Sequence, residues 1–134
     1  QTRTTAILNY GADIRCSLSI NHNYRKGPNF QSAQIRIDGI EGAALIKLGL
    51  LLDYPKGEPD EVWLYPKGGS GWDKIDFEGG WFPDAFIGTM SNLQRFSSGE
   101  DKILNTSVED AFHTMSLVES CYISSKKGDT PLPR

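Results

Sequence analysis

At Gly80 the chain changes its hydrophobic period, and that change limits the folds open to it. Upstream, residue character alternates every second position, as on the two faces of a strand. Ile14, Cys16, Leu18, Ile20, His22 and Tyr24 alternate with Arg15, Ser17, Ser19, Asn21 and Asn23, one face being apolar until its far end turns polar. Downstream, Phe82, Phe86, Met90, Leu93 and Phe96 fall on one helical stripe, and Val108, Ala111, Met115, Val118 and Tyr122 fall on another. Strands come first and helices afterwards, without βαβ alternation. The expected class is α+β: a mainly antiparallel, open-faced sheet with two C-terminal helices packed on one face.

Breaker residues mark the ends of the elements. Two strands broken at Gly11 fill residues 3–24, and a loop follows over residues 25–31. A third strand, residues 33–38, reverses through Asp38-Gly39-Ile40-Glu41-Gly42 into its hairpin partner, residues 43–48. Shorter strands are expected at residues 50–54, 61–65 and 74–78. Pro83 suits the first helical position, Asp84 complements the positive helix start, and Gly99 suits the position just past the end. Ser107 opens the second helix through a capping box with Asp110 in place of the commoner Glu, and Gly128 stops it after Lys126 and Lys127. The reverse face of the sheet carries Arg15, Ser17, Ser19, Asn21, Gln34 and Arg36, so it can meet water, a partner subunit or another domain.

At 134 residues the chain suits a single domain, residues 1–134. A net charge of −3 without a basic stripe argues against nucleic acid and against a polybasic membrane-surface domain. The longest apolar cluster, residues 42–52, is interrupted by Lys47 and Gly49, so no membrane span is expected. Cys16 and Cys121 are too far apart in sequence for a CxxC or metal-ligand spacing. They read as reduced thiols of a cytoplasmic protein, with a disulfide as the alternative. No targeting signal opens the chain, and its start at Gln1 rather than Met suggests a processed or excised piece.

Catalytic constellations are not legible. There is no Gly-x-Ser-x-Gly elbow, and Gly68-Gly69-Ser70-Gly71 lacks both the P-loop ending and a dinucleotide fingerprint, so it reads as a flexible turn. His113 lies four residues after Glu109, where a surface pair is the natural reading. His22, Asn23 and Tyr24 gather donors and acceptors at a strand end, suited to a polyhydroxylated ligand or to a satisfied structural histidine. Trp81 and Asp84 offer an indole beside a carboxylate, which could hold a sugar or simply pack and cap a helix start.

Taken in order, the strand ending in polar groups, "IDGIEGAALI", "WFPDAF" and "NTSVEDAFHTMSLVESCYISSKKGDTPLP" resemble the C-terminal domain of the Gfo/Idh/MocA family, the glucose-fructose oxidoreductase and inositol dehydrogenase type enzymes. The likeness covers nearly the whole chain. It implies the substrate-binding and oligomerisation domain of a sugar or polyol oxidoreductase that uses NAD or NADP in the full-length protein. An N-terminal Rossmann domain would carry the cofactor, and a homo-oligomer would form through the polar sheet face. Carried over by position, the resemblance matches Asn23 and Tyr24 to the strand end that approaches the substrate, and Trp81, Pro83, Asp84 and Phe86 to the segment at the pocket edge. The glycine fingerprint, the Glu-Lys-Pro lysine and the Asp-x-x-x-His element of that family have no counterpart in these residues. The isolated chain is therefore expected to bind no cofactor and to be inactive, with no catalytic or metal-ligating residue of its own. A free-standing dimerisation or carbohydrate-binding module is the competing expectation.

Overall fold

A computed structural model of the protein describes residues 3–23, 31–49, 57–128 and 130–131. The chain clusters into two compact units, one of Gln1–Arg25 with Arg95–Arg134, the other Lys26–Gln94. Every strand pair is antiparallel, and the two helices come last, so the class is the α+β one that the change of period predicts. The strands divide between two sheets.

The first unit begins with the hairpin of β1 (Arg3–Asn9) and β2 (Arg15–Asn21), in register from Arg3 opposite Asn21 to Asn9 opposite Arg15. Gly11, at φ 84°, turns the chain where the sequence breaks. The Asn9 side chain accepts the Gly11 N–H at 2.9 Å, and the Arg15 guanidinium donates to the carbonyls of Ala12 and Ile14 at 3.0 and 2.8 Å. Strand β2 stops three residues short of the expected end. The Asn21 side chain accepts the Asn23 N–H at 3.1 Å, a local turn that draws the backbone out of the ladder.

The second unit holds a four-stranded meander, β3 (Ala33–Gly39), β4 (Gly42–Leu48), β5 (Glu61–Pro66) and β6 (Asp73–Ile75), paired in sequence order. The β3–β4 reversal brings Gly39 opposite Gly42. Gly42 sits at φ 146°, and a Cβ there would collide with the Tyr65 carbonyl of β5, so the residue is glycine for two separate reasons. The expected strand at residues 50–54 lies outside the described residues. The one expected at 74–78 is shorter and begins a residue earlier.

Pairing fixes two unlike faces. Ile35, Ile46, Val62 and Ile75 occupy successive strands on one side, as do Ile37, Ala44 and Leu64. The other side carries Arg36, Asp38, Lys47, Glu61, Trp63, Tyr65 and Lys74.

The helices are α1 (Ala85–Ser98) and α2 (Val108–Lys127). α1 starts after Pro83, not at it: the Phe86 and Ile87 N–H groups donate to the Pro83 and Asp84 carbonyls at 3.0 Å in a turn that leads into the helix, and the Phe82–Pro83 peptide is cis. It ends where expected, at Gly99 with φ 84°. α2 is capped as the sequence prescribes: the Ser107 hydroxyl accepts the Asp110 N–H at 3.2 Å, and the Gly128 N–H closes on the Ser124 carbonyl at 2.9 Å. Among the described residues no apolar side chain is fully buried. Ile35 and Ile37 are 50% and 58% exposed, and the helical stripe residues Met90, Leu93, Phe96, Val108, Met115, Val118 and Tyr122 are exposed too.

Candidate functional site

Within the second unit, a cleft of about 240 Å³ opens where the β4 exit, the segment leading into β5, the β6 exit and the turn before α1 converge. It is lined by Gly49, residues 58–60, 74–77 and 79–82. One carboxylate ties these segments together. Asp60 accepts the Gly49 N–H on one oxygen and the Trp81 N–H on the other. The Trp81 indole N–H then donates to the Gly49 carbonyl at 2.7 Å. Gly49 is thereby bonded through both its backbone groups, and it must be glycine, because a Cβ there would collide with the Glu58 carbonyl.

This arrangement gives Trp81 a fixed orientation. Its indole N–H and backbone N–H are both engaged, yet 41% of the residue stays exposed. What it can offer a ligand is ring surface, suited to C–H faces, while the carboxylates of Glu58 and Asp76 at the same cleft can accept hydroxyl protons. Asp84 acts on the backbone: its carboxylate accepts the Gly80 N–H at 2.7 Å, and Gly79, at φ 81°, leaves it room. Phe86 meets the cleft residue Phe82 edge-on, with ring centroids 5.8 Å apart. Trp81, Asp84 and Phe86 are thus gathered at one place, one lining the cleft and two bracing its wall. His22 and Asn23 belong to the other unit, just beyond β2, and Tyr24 lies outside the described residues.

Sequence reading missed Asp60, Gly49, Glu58, Asp76 and Phe77. Glu58-Pro59-Asp60-Glu61 looks like an ordinary acidic turn, and only the chain reversal brings it against Trp81. Reading also missed the aromatic lattice of the polar face. The Trp72 ring stands edge-on to Tyr65 with centroids 5.8 Å apart and takes the Arg36 guanidinium 5.8 Å from its own centroid. Beside it, Glu61 accepts from Lys47 at 3.0 Å, from the Trp63 indole at 3.0 Å and from Lys74 at 3.3 Å. Those three donors, Lys47 first, hold the Glu61 carboxyl down at about 2. Lys74 also lies 5.6 Å from the Trp63 ring centre.

Among the described residues, no three metal-ligating side chains come together and no helix is long and apolar enough to cross a membrane. Cys16 and Cys121 are both free. No protein-family model, no curated protein and no solved structure matches the chain.

Proposed function

We propose that the chain is the substrate-binding and oligomerisation domain of a sugar or polyol oxidoreductase dependent on NAD or NADP, and that the Trp81 cleft receives the polyol. The observation that carries this reading is an orientated, half-exposed indole in a cleft that the acidic residues Glu58 and Asp76 also line. The order of the sequence motifs supports it independently. A ring surface for C–H groups beside carboxylates for hydroxyl protons is the chemistry a polyol needs.

The glycine-rich loop of the described residues does not suit a nicotinamide dinucleotide. That loop, residues 68–71, joins two antiparallel strands and opens no helix. The Gly69 N–H is turned inward to the Pro66 carbonyl at 2.9 Å, and the Gly69 carbonyl accepts the Tyr65 hydroxyl at 2.7 Å. In this reading a Rossmann domain elsewhere in the full-length protein supplies the cofactor and the proton-transfer groups, and the polar sheet face meets another subunit or that domain.

Calorimetric titration with neutral polyols tests the cleft. Trp81→Ala is expected to weaken binding by roughly tenfold or more, the size of a lost aromatic contact. Dinucleotide binding by the 134-residue chain alone would contradict the reading. A free-standing carbohydrate-binding module is favoured by one other observation, the Trp63, Tyr65 and Trp72 cluster of the polar face. Sugar binding that survives Trp81→Ala but is lost with Trp72→Ala would select it.

A further inference from the structure

The two edges of the four-stranded sheet are not alike. β6 is only three residues long, the short kind of edge that offers little to a neighbour. β3 has seven residues, contains no proline, and has β4 as its one ladder partner among the described residues. A long strand edge with unpaired N–H and C=O groups is a template for another strand unless charge repels it. Here the charges cancel within the strand. Arg36 and Asp38 form a two-pronged pair, with 2.9 Å contacts from Nε to Oδ2 and from Nη2 to Oδ1, and their side chains are 60% and 61% exposed.

We propose that this edge pairs with the β3 edge of a second copy of the chain, antiparallel and centred on Ile37, so that Arg36 of each copy lies opposite Asp38 of the partner subunit.

The register follows by elimination. A two-fold axis that continues the sheet must set residues of the same face opposite one another, or the apolar face would be turned into the polar one. The axis therefore passes through a residue. At Arg36 it would oppose two arginines, and at Asp38 two aspartates, both destabilising. At Ile35 it would leave Asp38 beyond the end of the partner strand. At Ile37 both charges find opposite partners, Ile37 meets Ile37 of the partner subunit, and Ile35 meets the partner's Gly39. The exposed apolar face carrying Ile35, Ile37 and Leu64 then runs unbroken across both copies. This contact lies at the edge of the sheet, not on the polar face assigned above, and it does not require the redox reading.

Sedimentation equilibrium of the full chain tests it. Wild type is expected to dimerise. Arg36→Asp and Asp38→Arg are each expected to weaken the dimer by roughly tenfold or more, since two attractions become two repulsions. An equimolar mixture of the two variants should recover the wild-type affinity, which also shows that both fold. In a Cys16→Ser/Cys121→Ser background, Ile37→Cys should oxidise to a disulfide-linked dimer, because directly opposed residues sit about 4.5–5.5 Å apart at Cα, within disulfide reach. A monomeric wild type overturns the proposal. So does a dimer indifferent to both charge reversals, and a dimer lost instead with Trp72→Ala would place the contact on the polar face.

Discussion

Asp60 shows how much one side chain can organise. Its two oxygens fasten the β4 exit and the Trp81 turn, segments far apart in sequence. Asp60→Ala leaves two backbone N–H groups without that acceptor and should cost about 1–3 kcal/mol in urea unfolding, with the Trp81 emission shifting as the ring loses its anchor. An unchanged midpoint would mean that water replaces the carboxylate without loss. Glu61 makes a prediction about pH. Its carboxyl lies at about 2 in the folded chain against an ordinary 4.5, because Lys47, the Trp63 indole and Lys74 all donate to it. A depressed folded value means that the folded state binds this proton less readily than the unfolded one. The contribution of Glu61 is therefore present above 4.5 and lost as pH falls toward about 2. Urea midpoints followed down this range should drop more steeply for wild type than for Glu61→Gln, and parallel slopes would refute the assignment.

At the scale of elements, α2 is the one whose start and stop were fully written in local chemistry. Ser107 caps it, Glu109 and Asp110 lie in its first turn, and Lys126 and Lys127 in its last. Hydrogen bonds from its own backbone and from the Ser107 hydroxyl lower the Glu109 carboxyl below its usual range. Ser107→Ala should cost about 1 kcal/mol of thermal stability, while Ser107→Asp should keep most of it. In the meander, Gly42 has the same standing. Gly42→Ala must shift the Tyr65 carbonyl or break the β4–β5 ladder, so it should lower the melting temperature more than Gly71→Ala, where a Cβ meets nothing. The start of α1 was harder to read. Pro83 and Asp84 look like first-turn residues, but the helix begins at Ala85, and the Asp84 carboxylate reaches four residues back to the Gly80 N–H in the turn before it.

For the molecule as a whole, the periods prescribe apolar faces on the sheet and on both helices, and the described residues leave those faces open to solvent. Contiguous exposed apolar surface of this kind marks an interaction site or an aggregation liability. The chain alone is expected to bind a hydrophobic dye such as ANS, and Ile35→Ser with Leu64→Ser should reduce that fluorescence. Dye binding that is absent in wild type would mean that these faces are covered in solution.

Local chemistry in the sequence was enough to determine the alternation of Ile35, Ile37 and their hairpin partners, the reversal at Gly39 and Gly42, the caps of α2 and the stop at Gly99. Each depends on residues within a turn or two of one another, or on a period that repeats along one strand. Tertiary structure alone decided that Asp60 would hold Trp81 to Gly49, that Trp72 would lie against Tyr65 and Arg36, and that β3 would be left at an edge. Those contacts join residues whose separation along the chain carries no signal. They exist only after the strands have chosen their order, and that choice belongs to the whole sheet and to no single segment.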